Sequence, residues 1–284
     1  QRRVDSRAMQ IGASTRGAAP IHPVADASSH KVAGSHTSAQ KEQGTGLPAH
    51  RRCLAGSIAA TLVGVLFGVA SLLLDPDSRY ATMAYGHDAQ TPSQRVQQEE
   101  SRSGSGVAGV QAQFAGYLMT HNMRVSLTTM ALGMTGGVGT VLSLFYNGVI
   151  LGSIAADYVS DGQTAFLAGW ILPHGTVEIP AIVIAGQAGL LLGAALIGRG
   201  SREPLRQRLA AVRSDLLTLV TGVAGLLIWA GLVEGFFSQY HEPVLPYALK
   251  ITFGLLELVV LSLFLIRGGA GAESPDANQP LGIS

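Results

Sequence analysis

The chain has 284 residues, with 19 Lys and Arg against 18 Asp and Glu and a formal net charge of +1. Charged residues make up 13% and apolar residues 47%; an average soluble domain carries about 25% charge. A soluble domain of this size needs more charge on its surface, and a nucleic-acid binder needs a basic stripe that a near-neutral balance does not provide. The single cysteine, Cys53, excludes an intramolecular disulfide framework and a multi-cysteine zinc site.

Residues 1–50 are rich in Ser, Ala, Gly, Thr and His and are expected to form a disordered cytoplasmic tail, because they offer too little apolar area to offset chain entropy. His22, His30, His36 and His50 are spread through it without a repeating ligand spacing, so no metal site is expected. Leu54 to Leu74 is then free of charge, long enough to cross the hydrocarbon core of a bilayer. Arg51 and Arg52 precede it and place that end in the cytoplasm by the positive-inside rule. A polar stretch at 75–109 follows, expected outside, with one short helix around Pro92 to Glu100.

Val125 to Tyr146 is a second charge-free run, ended by Asn147-Gly148. His174 to Ile197 carries only Glu178 as an ordinarily charged residue, Leu216 to Val233 carries none, and Ile251 to Ile266 carries Glu257 between the flanking Lys250 and Arg267. The loop 199–213 holds Arg199, Arg202, Arg206, Arg208 and Arg213 and reads as cytoplasmic; Ser238 to Pro246 has neither Lys nor Arg and reads as external. An even number of crossings must then separate Tyr146 from Arg199, which requires a weak crossing between about Gly148 and Leu172. The expected architecture is all-α, a polytopic transmembrane bundle over 51–267 with about six crossings, helices broken near Asn147 and Pro173, and both termini, including a tail at 268–284, in the cytoplasm.

Lipid is as apolar as leucine, so transmembrane helices are held by close backbone approach, which needs small residues four apart. Gly64 and Gly68, Gly133 and Gly137, Gly148 and Gly152, Gly189 and Gly193, and Gly231 and Gly235 supply that spacing. Packing within one bundle is the plain reading; a homo-oligomer through one such face is the alternative. The run GMTGGVGT at 133–140 lacks the lysine of a phosphate-binding loop and lies inside an apolar stretch, so that reading is rejected.

Ionisable and amide groups inside a bilayer are costly and mark function or a buried polar network. Asn122, Asn147, His174, Glu178 and Glu234 are the candidates for such a network. His174 and Glu178 are four apart and share a helix face, between Pro173 and Pro180. Two ligands do not make a metal site and HExxH is absent, so neither a metal nor a cofactor is expected and no catalytic residue is named.

The segments HNMRVSLTTMALGMTGGVGTVLSLFYNGVILG at 121–152, LPHGTVEIPAIVIAGQAGLLLGAALI at 172–197 and AGLVEGFFS at 230–238 resemble the stage II sporulation protein M family. The shared features are an Asn-bearing entry to a crossing, GxGT, an NG pair, PHGxxE followed by IAGxxG, and AGxxEGF. The departure is at 1–50, where members of this size carry a longer charged helical region, as expected of a truncated or misread start. The resemblance implies an integral protein of the bacterial inner membrane that recruits or organises envelope partners. The namesake works with peptidoglycan-degrading proteins during engulfment in spore formers. It supplies no catalytic residue. A transporter or channel using the intramembrane polar residues, and an intramembrane metal-dependent hydrolase using His174 and Glu178, remain the alternatives to a non-enzymatic scaffold.

Overall fold

The computed structural model describes the backbone of residues 30–82, 90–102, 108–238 and 240–270, and the side chains of these except 30–47, 102–119 and 268–270. The parts of the expected tails at 1–29 and 271–284 lie outside the described residues. Contacts divide the chain into Gln1–Thr45 and Gly46–Ser284. In the first unit the described backbone is helical from His30, inside the stretch expected as a tail; Ala, Gln, Lys and Glu at 39–42 are strong helix formers.

The chain is an all-α bundle, and among the described residues there is no strand. The helices are α1 (His30–Leu74), α2 (Arg79–Thr82), α3 (Pro92–Arg102), α4 (Ala108–Ala131), α5 (Val138–Ser160), α6 (Thr164–Ile197), α7 (Leu205–Val233) and α8 (Tyr247–Ala270). Five segments among the described residues are long and apolar enough to span a membrane: Pro48–Leu74, Val138–Ser160, Thr164–Ile197, Leu205–Ser238 and Tyr247–Arg267. Large apolar side chains such as Leu62, Leu66 and Phe67 on α1 and Leu256, Val260 and Phe264 on α8 face outward. An apolar exterior of this extent is what a lipid surround requires. The chain is a multi-pass membrane protein.

The interruptions lie elsewhere than the sequence reading places them. Asn147 sits in the middle of α5, where its Nδ2 donates to the Ser143 carbonyl at 2.8 Å, one turn back on the same helix. Pro173 and Pro180 lie inside an unbroken α6; packed neighbours let a membrane helix tolerate the lost backbone bonds. The break comes within the apolar run 125–146, at a short 3-10 turn, Leu132–Thr135, followed by Gly136 and Gly137 at φ of 70° and 88°. That left-handed backbone is open to glycine at no steric cost. The chain reverses there, so α4 and α5 are separate antiparallel neighbours. The second reversal is at 161–163 rather than at Pro173.

Helix α6 is the hub, packing on α4, α5, α7 and α8. Glycine seams set its distances and those of α1. A Cβ on Gly64 would lie 2.1 Å from the Phe145 carbonyl oxygen, and one on Gly148 would lie 2.3 Å from the Thr61 oxygen. Gly68 and Gly152 repeat the contact one turn on, at 2.2 Å from the Val149 oxygen and 2.1 Å from the Val65 oxygen. Gly133 meets the Gly189 carbonyl oxygen at 2.2 Å and Gly193 meets the Gly137 nitrogen at 2.5 Å, which seats the α4–α5 turn on α6. These are the small-xxx-small pairs at work within one chain.

The two ends of the bundle differ. At the end carrying the arginine loop, His50 Nε2 lies 3.0 Å from Asp215 Oδ2 and Gln187 Nε2 donates to the His50 carbonyl at 3.4 Å, joining α1, α6 and α7. At the opposite end α3 lies over the helix ends as a cap. Val96 enters a core with Tyr158, Phe166, Leu167 and Tyr247. Arg79 pairs with Asp157 at 3.1 Å, Ser93 N donates to Asp161 Oδ2 at 2.6 Å, and the Tyr247 hydroxyl donates to Glu100 Oε1 at 2.7 Å.

Candidate functional site

Toward the cap end, α6, α7 and α8 converge on a cluster of polar side chains. Helix α7 passes into a π turn over Glu234–Ser238. Such turns leave carbonyl groups short of helical partners and recur at functional positions. Lys250, three residues into α8, fills that need: its Nζ donates to the Ser238 carbonyl at 2.7 Å and to the Tyr240 carbonyl at 2.9 Å. The lysine has no exposed surface.

From α6, His174 reaches the same turn. Its Nδ1 is 3.3 Å from Ser238 Oγ, and its Nε2 is 3.9 Å from Glu234 Oε1. The second distance is too long for a direct hydrogen bond. His174 and Glu234 are both buried, and Glu178 lies half-buried one turn along α6 from His174.

Helix α8 presents Tyr247, Lys250, Gly254 and Glu257 on one face, at spacings of three, four and three. Gly254 lets that face close on α6: a Cβ there would lie 2.7 Å from the Leu172 carbonyl oxygen. Glu257 accepts a hydrogen bond from Thr176 Oγ1 at 3.2 Å and another from Trp229 Nε1, so it ties α6, α7 and α8 together. Above the cluster, in the α7–α8 connection, His241 stacks on Phe166 with ring centroids 5.0 Å apart. Burial, and behind it the Lys250 ammonium, push His241 down to about 4 from the ordinary 6.5.

Of the residues singled out from the sequence, the structure brings His174 and Glu234 together, with Glu178 one turn along α6 from His174. It does not bring Asn147, which is bonded to its own helix, and it places Asn122 half-buried on α4 with no hydrogen bond to the cluster among the described residues. Lys250, Ser238 and His241 are members that the sequence reading leaves out. Among the described residues, no three His, Cys, Asp or Glu side chains come together in a way that could hold a metal ion.

Fold and cluster together define a polytopic α-helical membrane protein with charged groups buried between its helices. The Stage II sporulation protein M family pattern matches residues 57–239, and the chain belongs to that family. The match takes in the first glycine seam, the cap, the α4–α5 turn, His174, Glu178 and the π turn, and stops short of Lys250. An uncharacterized protein of Methanocaldococcus jannaschii is 33% identical over 76 residues, which cover 25% of this chain and 41% of that relative. The chain thus matches about two fifths of that relative's length. No solved structure matches.

Proposed function

We propose that this chain is a scaffold of the bacterial inner membrane that holds an envelope partner against its cap end. Both termini and the arginine loop face the cytoplasm in this reading, since five arginines at 199–213 are retained on that side. The cap end then faces outward. The observation that carries the proposal is the docking of α3 on the bundle: its apolar residue Val96 is sunk into the core, while Gln94, Gln97 and Ser101 form one exposed polar row at spacings of three and four. A short amphipathic helix fastened by Ser93–Asp161 and Tyr247–Glu100 is a fixed platform. The namesake's association with peptidoglycan-degrading proteins supports a partner of that kind.

In-cell photo-crosslinking from position 97 tests the proposal. A discrete crosslinked envelope protein, absent when the probe is moved to Ser201, is the expected result; no adduct from any position of the exposed row would contradict it. A second reading, translocation of a proton or small solute, draws on the buried charged cluster. Solute or proton flux in proteoliposomes that Glu178→Gln abolishes would put that reading in place of the scaffold.

A further inference from the structure

Helix α4 turns a full charge toward the lipid. Its inner face carries Ser126 and Thr129, both buried, and Met123 packs against the core of Ala181, Ala185, Val223 and Leu227. Ala181 lies at the centre of the α6 span Thr164–Ile197, so this contact sets the neighbouring residue 124 near mid-depth. Arg124 is exposed there, and so are Thr120 and Thr128, four residues to either side. That spacing puts the three on one outward row. With Met123 and Leu127 they line an open concavity of about 380 Å³. Outward residues near the middle of α7 and α8, such as Ile228 and Leu256, are apolar.

No carboxylate among the described residues answers this arginine. The acidic residues on the elements packed against α4 are Asp157 on α5, Glu178 on α6, Asp215 on α7 and Glu234 on the π turn. Asp157 pairs with Arg79, Asp215 lies against His50 and Glu234 faces His174; among the described residues no ion pair reaches Arg124. An arginine in hydrocarbon is costly unless it is matched. Lipid phosphates are badly placed to match it. The α4–α5 turn lies eight residues away, about 12 Å along the axis, and the side chain leans the other way, toward the helix N-terminus. In that direction α4 runs on for 16 residues, about 24 Å, to Ala108. A two-fold pairing of α4 faces would set Arg124 against its own copy, like charge on like charge.

We propose that the outward row of α4 docks a transmembrane helix of a partner protein that carries a carboxylate near mid-depth. Arg124 pairs with that acid, in the two-pronged geometry a guanidinium offers a carboxylate. Thr120 and Thr128 flank the pair with hydroxyls suited to bonds between helices, and the concavity around them receives the partner's side chain. The partner is defined by that chemistry: an apolar span with one Asp or Glu at its centre. The row lies on the side of the bundle, not on its cap, so the inference stands whether or not the cap recruits a partner.

Energy transfer in vesicles of zwitterionic phosphatidylcholine reads this interface. The protein carries a dye at Ser201→Cys in a Cys53→Ser background, and the probe is a labelled alanine–leucine transmembrane peptide with one central Glu. It should bind about tenfold more tightly than the same peptide with a central Gln. Arg124→Gln should erase that difference, and Arg124→Glu should transfer the preference to a peptide with a central Lys. Equal binding of the Glu and Gln peptides, a preference that survives Arg124→Gln, or one that does not reverse in Arg124→Glu would overturn the proposal. Displacement of the Glu peptide by anionic phosphatidylglycerol would overturn it in favour of a lipid headgroup. Transfer between two differently labelled copies of the protein, lost in Arg124→Gln, would overturn it in favour of self-association. The comparison of Glu and Gln peptides uses the native Arg124, so it decides even where a charge variant does not fold.

Discussion

The Lys250 ammonium donates to the Ser238 carbonyl oxygen at 2.7 Å, and neither residue has any exposed surface. A charged side chain thus closes the end of α7 from the neighbouring helix, in place of the backbone partner the π turn gives up. Replacing Lys250 by Met leaves the Ser238 and Tyr240 carbonyls without their donor. Each buried carbonyl left without that donor costs about 1–3 kcal/mol. Lys250→Met should lower the unfolding midpoint in detergent sharply. Ser238→Ala keeps the carbonyl and loses only the contact with His174, so its effect should stay near 1 kcal/mol. Equal effects of the two would contradict the role given to the ammonium.

The glycine seam between α1 and α5 makes a contrast available within one protein. Gly148→Leu must push α1 away, since even a Cβ would lie 2.3 Å from the Thr61 carbonyl. Overpacking of this kind costs roughly 1–3 kcal/mol, and the variant should unfold at lower denaturant. Gly222 on α7 has open space around its Cβ position, so Gly222→Ala should be neutral or stabilising by up to about 1 kcal/mol through helix propensity. Thermal unfolding of the pair in the same detergent checks both.

The pH dependence of the cap end has a definite sign. His241 titrates at about 4 in the folded chain and near 6.5 when exposed, so the unfolded chain binds the extra proton first. Stability that this residue contributes is complete above about 6.5 and is lost as pH falls toward 4. At about 1.4 kcal/mol per pH unit the loss is on the order of 3 kcal/mol. His241→Phe keeps a ring against Phe166 and removes the titration; its stability profile between these pH values should be flatter than that of the wild type.

Charge-free runs and the arginine loop are local properties, and they suffice to read a helical membrane bundle with its loops in order. The position of the reversals is another matter. Gly136-Gly137 lies inside an apolar run, and hydropathy does not register a turn whose backbone is buried against Gly189 and Gly193 of α6. Asn147 looks like an interruption in sequence but spends its amide on its own helix. Lys250 looks like a boundary residue, because lysines near helix ends ordinarily reach back to the interface. Its spacing from Tyr247, Gly254 and Glu257 is the signal that places it on the buried face. The pairing of His174 with Ser238 spans 64 residues and has no local trace at all.

The most direct test of the scaffold reading is the sidedness of its cap. In a Cys53→Ser background, single cysteines replace Gln97 on the exposed face of α3 and Ser201 in the arginine loop, and intact cells are treated with a membrane-impermeant maleimide. Labelling at position 97 without labelling at 201 is the predicted result. Labelling at 201 with protection at 97 would turn the cap toward the cytoplasm and remove the surface on which an envelope partner is held.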